Sequence, residues 1–137
     1  MRFMLDNNLS PRLARALNAL TENDGDSVDH LRSRGLDAEP DEVYISELAK
    51  EGSWVVVTCD TSMARKPHEV KAWIDSGLVF VMLKHGWIAL DFWKKAWKLI
   101  RIWPEIRAKA KRARPGTGIS VPVTSSIKFL NPPHESP

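Results

Sequence analysis

The sequence predicts a three-layer α/β domain, a doubly wound, mostly parallel sheet flanked by helices. Apolar, β-branched runs alternate along the chain with stretches whose apolar residues recur at helical spacing, the pattern of strand–helix–strand units. Two runs, 54–58 (Trp-Val-Val-Val-Thr) and 78–83 (Leu-Val-Phe-Val-Met-Leu), lack polar alternation, as parallel strands covered on both faces do. At 137 residues the chain has the size of one domain with a real core.

Residues 2–6 read as a short buried strand that ends in the carboxylate of Asp6. A turn over 7–11 follows, in which Ser10 suits a helix N-cap and Pro11 a first helical position. Leu13, Leu17 and Leu20 then predict a helix over about 11–20. A polar loop spans 21–27, a short second strand 28–31 and a loop 32–40. Asp41 opens a second helix whose apolar face is Val43, Ile45, Leu48 and Ala49, and Gly52 ends it. The strand 54–58 leads to Asp60, a helix over about 67–75, and the strand 78–83. Next comes a long amphipathic helix with Phe92, Trp93, Ala96, Trp97, Leu99, Ile100 and Trp103 on one face, kinked or restarted at Pro104. An edge strand is expected over 119–123. The domain should occupy 1–125, with a disordered tail over 126–137.

Composition excludes several classes. No apolar run reaches the roughly 18 residues of a membrane span, and the apolar start, Phe3-Met4-Leu5, is too short for a signal peptide. The single cysteine, Cys59, allows no internal disulfide, so a reducing cytoplasm is the expected compartment. Charge is divided unevenly: residues 1–60 carry 6 Lys/Arg against 12 Asp/Glu, and 61–137 carry 14 against 5. An acidic half suits a cation and a basic half a polyanion.

In a doubly wound sheet the functional crevice lies at the carboxyl ends of the strands, where Asp6 and Asp60 fall. Two carboxylates there repel each other unless a hard divalent cation such as Mg²⁺ or Mn²⁺ lies between them. Asp41, at the start of the second helix, could join them, although capping alone would explain it, as turn chemistry would explain Asp60. A carboxylate directly after an apolar strand, as at Asp6, has no packing explanation. Thr58 offers a hydroxyl two residues before Asp60 that can orient an acid.

These residues carry a family resemblance. Leu5-Asp6-Asn7-Asn8-Leu9-Ser10-Pro11-Arg12-Leu13 resembles the opening LLDENLPPRL of short PIN-like domains. The block from Asp41-Glu42-Val43 to Val57-Thr58-Cys59-Asp60 is similar to the same family's helix–strand block. Arg65-Lys66-Pro67-His68-Glu69, the Phe80 strand and Trp103-Pro104-Glu105-Ile106 resemble the VapC-type toxin subgroup. The resemblance, over roughly residues 3–125, implies a PIN-like, Rossmann-like fold and a metal-dependent ribonuclease, often the toxin of a toxin–antitoxin pair. It implies that Asp6, Asp41 and Asp60 are the catalytic, metal-binding acids, with Asn8, Thr58 and Ser62 in support. The family's fourth acid has no clear counterpart, which leaves Glu42 and Glu69 as alternatives. Ser62-Met63 stands where the family has Asp-Phe.

From Lys84 to Arg114 there are ten Lys/Arg and two acids, a density that fits phosphate contacts. Lys94, Lys95, Lys98 and Arg101, with Arg12 of the first helix, are the expected RNA contacts. Trp93, Trp97 and Trp103 read as core, or as an interface for an antitoxin or a second copy of the chain, ahead of base-stacking platforms. The four histidines lack metal-site spacing, His68 being the one near the Asp60 loop. Cys59 reads as a buried, inert thiol. Two other readings compete with the ribonuclease: a catalytically weak nucleic-acid or partner-binding module, and a phosphoacceptor domain. The second is disfavoured because Asn7 and Asn8, not a second acid, follow Asp6.

Overall fold

The computed structural model describes residues 1–60, 66–124 and 128–130. Six strands form one sheet in the order β2-β1-β3-β4-β5-β6. They are β1 (Arg2–Leu5), β2 (Ser27–His30), β3 (Trp54–Thr58), β4 (Val79–Leu83), β5 (Gly118–Val121) and β6 (Lys128–Leu130). Four α-helices connect them: α1 (Pro11–Thr21), α2 (Asp41–Glu51), α3 (Pro67–Ser76) and α4 (Phe92–Arg112). The first five strands are parallel, and only β6 runs antiparallel, against β5. The doubly wound, three-layer α/β fold is therefore present. β5 is not an edge strand, because β6, inside the stretch expected as tail, pairs with its outer side. Residues 131–137 lie outside the described residues.

Side chains of successive strand residues point to opposite faces, and this divides the core in two. Phe3, Leu5, Val55, Val57 and Val81 pack with Leu13 and Leu17 of α1 and Leu99 and Trp103 of α4. Met4, Val56, Phe80 and Met82 pack with Tyr44, Ile45 and Leu48 of α2 and Trp73 of α3. Every residue of β3 and β4 is buried, as their unbroken apolar sequences require.

Helix boundaries follow local chemistry. Ser10 caps α1, its Oγ accepting from the Arg12 N–H at 3.1 Å, with Pro11 just inside. At α2 the cap position is Pro40, no side chain caps the helix, and Asp41 is the first helical residue. Capping therefore does not account for Asp41. The inward face of α2 is Tyr44, Ile45 and Leu48, while Val43 is exposed. α4 does not restart at Pro104 but continues to Arg112. Trp103 and Ile106 are buried on either side of the proline, and Arg107 pairs with the buried Asp26, so both halves are held against the domain.

The tryptophans of α4 part company. Trp103 is buried against Phe3, their ring centroids 4.8 Å apart. Trp93 and Trp97, expected in the core or at an interface, are 76% and 58% exposed, which excludes the core for both. The apolar stripe is wider than the line of contact with the sheet. Ala96, Leu99, Trp103, Ile106 and Ala110 fill that line at alternating spacings of three and four, and Trp93, Trp97 and Ile100 fall on the adjoining flank. Trp103→Ala should thus destabilise the protein by about 3–5 kcal/mol in urea unfolding, and Trp97→Ala by no more than about 0.5 kcal/mol. Equal losses from both would contradict this division.

Candidate metal centre

β1 lies between β2 and β3, so the connections leaving β1 through α1 and leaving β3 through α3 run to opposite sides from the carboxyl ends of these two strands. This is the switch point at which open α/β sheets place their crevice. Asp6 extends the pairing by one residue, its N–H donating to the Val57 carbonyl at 3.1 Å. The chain then turns, with the Leu9 N–H donating to the Asp6 carbonyl at 3.1 Å. Asp6 continues the Met4 face of the sheet, so its side chain lies on the side of α2 and α3.

The Asp6 carboxylate is buried, with the residue only 5% exposed. It accepts from the Asn8 N–H at 3.2 Å and from the Thr58 hydroxyl. The Asn8 side-chain amide, oriented to satisfy both groups, donates to the two carboxylate oxygens at 3.2 and 3.3 Å. Thr58 in turn accepts the Asp60 N–H at 2.9 Å, so one hydroxyl links the two acids. His30 braces the turn from beneath. Its Nδ1 accepts from the Arg32 N–H at 3.0 Å, which leaves Nε2–H to donate to the Leu9 carbonyl at 2.7 Å. A cleft of about 460 Å³ opens beside the turn, lined in part by Asn7, Asn8, Pro11 and Arg32.

Burial pushes the Asp6 carboxyl up to about 7, against the lowering effect of its Thr58 and Asn8 hydrogen bonds, and the charges of Asp41 and Asp60 add to the rise. Asp41 is half-buried at the mouth. Its carboxyl is raised by burial and then by Asp60, Glu69 and Glu42, against the lowering effect of Lys66. Asp6, Asp41 and Asp60 are therefore brought together, close enough to repel one another.

Two residues join them that the acidic pattern alone did not single out. Tyr44 is buried, its hydroxyl has no hydrogen-bond partner among the described residues, and its pKa is driven well up by burial and by Asp6, Asp41, Asp60 and Glu69. It lies one helical turn after Asp41, and that spacing was the available signal. Lys66, at the N-cap of α3, is the cation that Asp41 feels, and its Nζ is 3.8 Å from Glu69 Oε1. Of the two alternatives for a fourth acid, Glu69 is buried and its Oε2 has no hydrogen-bond partner among the described residues. Glu42 is exposed and meets His68, Oε1 to Nε2, at 2.9 Å. Ser62 lies outside the described residues.

The expected RNA contacts are arranged differently. α4 packs on the sheet face opposite to Asp6, with the α1 layer. Its N-terminal end reaches the rim: Arg12 stacks over Phe92 at 4.3 Å, and Lys95 lies near enough to Cys59 to be felt there. Lys94, Lys98 and Arg101 lie along the outer side of the same helix. The Cys59 thiol is free and buried, and burial pushes it up to about 11, so it is no nucleophile at neutral pH.

The sign of the resulting pH dependence is fixed. The folded chain keeps a proton on Asp6 up to about 7, and the unfolded chain loses it near 3.8. The native state thus binds the extra proton between these values, and stability falls as pH rises through that window, by about 4 kcal/mol if fully expressed. Thermal unfolding of the metal-free protein should show Tm decreasing from pH 5 to pH 8, and Asp6→Asn should remove most of that slope. Mn²⁺ should raise Tm at pH 8 and have little effect at pH 5, where Asp6 holds its proton. A Tm that rises from pH 5 to pH 8 in the metal-free protein would refute the assignment of a buried, protonated Asp6.

A family model for a PIN like domain matches residues 1–85. That span contains β1 to β4 and all the acids of the pocket, and it ends before α4. No curated protein and no solved structure matches the chain significantly. PIN-like domains are generally nucleases, and a candidate cation-holding group, Glu42, His68 and Glu69, is present within the matched span. The chain belongs to the PIN-like domain family.

Proposed function

We propose that this protein is a metal-dependent endoribonuclease that hydrolyses RNA phosphodiester bonds, the toxin of a toxin–antitoxin pair acting in the cytoplasm. The observation that carries the reading is the buried Asp6 carboxylate facing Asp41 and Asp60 at the switch point of the sheet. The donor set fits a hard divalent cation. Asp41 and Asp60 lie near enough to raise the pKa of Asp6, Lys66 lies near Asp41, and the buried Tyr44 hydroxyl beside them has no hydrogen-bond partner among the described residues. A bound Mg²⁺ or Mn²⁺ supplies polarisation of the phosphodiester and acidification of water.

The protein's own residues do the rest. Asp6, Asp41 and Asp60 hold the cation, and Thr58 and Asn8 fix the Asp6 carboxylate in one orientation. Asp41, half-buried and with a raised pKa, is suited to receive a proton from attacking water. The Tyr44 hydroxyl can donate to whatever fills the pocket beside it.

Arg12 and Lys95 at the rim, with Lys94, Lys98 and Arg101 along α4, would hold the RNA backbone by charge. Lys98 Nζ and the Arg101 guanidinium lie 5.8 and 5.4 Å from the Trp97 ring centroid, which gives that flank cationic and stacking character together. The same flank supports the second reading, a module that binds RNA, an antitoxin or a second copy with little catalysis. RNA cleavage with Mn²⁺, and with EDTA, separates the two. On the nuclease reading cleavage requires the metal, and Asp6→Asn and Asp60→Asn each lower it by about a hundredfold or more. Wild-type rates in both variants would end that reading. RNA affinity should fall steeply with salt, and Lys98→Ala with Arg101→Ala should reduce the log–log slope by about 0.7 per charge removed.

A further inference from the structure

Beyond the acid pocket, α2 and α3 begin side by side and present a second group of ligands. Glu42 stands on the first turn of α2, and His68 and Glu69 on the first turn of α3. One ligand atom from each lies within 4.8 Å of the other two. His68 Nε2 and Glu42 Oε1 are exposed and 2.9 Å apart. Glu69 is 7% exposed, its Oε2 has no hydrogen-bond partner among the described residues, and Lys66 Nζ lies 3.8 Å from its other oxygen. A carboxylate buried to this degree without a hydrogen bond on one oxygen calls for a cation or a donor.

We infer that Glu42, His68 and Glu69 form a binding site for a borderline divalent transition-metal ion, of which Zn²⁺ is the type, separate from the hard-cation site of Asp6, Asp41 and Asp60. The imidazole makes the difference. Nitrogen with two carboxylates favours Zn²⁺ and its neighbours, whereas an all-oxygen pocket favours Mg²⁺. Three protein ligands on an open surface leave positions for water. The two sites adjoin at Asp41, which feels Glu69 and Glu42 beyond it and Asp60 beside it. Glu42 follows Asp41 on the helix, and the turn of about 100° per residue directs one carboxylate inward and the next outward to α3. The inference concerns metal binding alone and stands apart from the nuclease reading.

Calorimetric titration of the full chain with Zn²⁺, in excess Mg²⁺, tests it. The wild type and Asp6→Asn should each bind one Zn²⁺ at this site. His68→Gln and Glu42→Gln should each weaken that binding by roughly tenfold or more. Both positions are exposed, so circular dichroism should show these variants folded. Co²⁺ in place of Zn²⁺ should give visible absorption that His68→Gln shifts or abolishes. Unchanged Zn²⁺ affinity in His68→Gln would overturn the site, as would loss of the Zn²⁺ equivalent in Asp6→Asn, since the ion would then belong to the acid pocket. Cleavage lost in Asp6→Asn while Zn²⁺ binding persists would show the two sites to be independent.

Discussion

A carboxylate buried at the end of a β-strand cannot keep its charge unaided, and Asp6 sets this problem for its whole end of the molecule. Its three hydrogen-bond donors, from Thr58 and from the backbone and side chain of Asn8, do not compensate for burial beside Asp41 and Asp60. The neutral form persists to near pH 7, and a cation beside it would favour the ionised form. The surrounding architecture keeps that choice open. β1 is central, so the acid cannot escape to solvent, and the Asp6 N–H is tied to the Val57 carbonyl. His30 is spent as a buried brace for the turn.

The alternation of side chains along parallel strands converts this local problem into a global division of labour. Residues of one parity face α2 and α3, and those helices bring Asp41, Tyr44 and Glu69 to the acid. Residues of the other parity face α1 and α4, and α4 brings a cationic, aromatic flank. Sheet period thus puts the acid pocket and the cationic flank of α4 on opposite faces of the sheet. The family match covers the acidic half and stops before α4.

Much of this was legible from the sequence because it depends on local patterns. The uniform runs 54–58 and 78–83 are central strands, Ser10 and Pro11 start α1, and Asp6 and Asp60 fall at strand ends. What was not legible depends on which neighbour covers which surface. A stripe containing Trp93, Trp97 and Trp103 says nothing about how much of it the sheet can reach, and only Trp103 is reached. Tyr44 was hidden because a phenol among apolar residues reads as core, and it is core, with its hydroxyl end at the acids. Asp41 looked like a cap because helix starts favour aspartate, and the choice needed the cap position, which Pro40 occupies. Glu42 and Glu69 could not be ranked from spacing, since the contact between α2 and α3 decides which of them is turned inward.

The placement of the acid pocket and the α4 cations on opposite faces also constrains the shape of anything that touches both. Among the described residues the two surfaces meet at the rim where Arg12 stacks over Phe92 and Lys95 lies near Cys59, just past the end of β3. On the proposed nuclease reading, a polymer lying along α4 would turn over this rim to bring one of its phosphates to Asp6. A stiff double helix resists such a bend, and a single strand, whose backbone torsions turn freely from one nucleotide to the next, does not. On that nuclease reading, the placement of α4 would select for mechanical flexibility rather than base sequence.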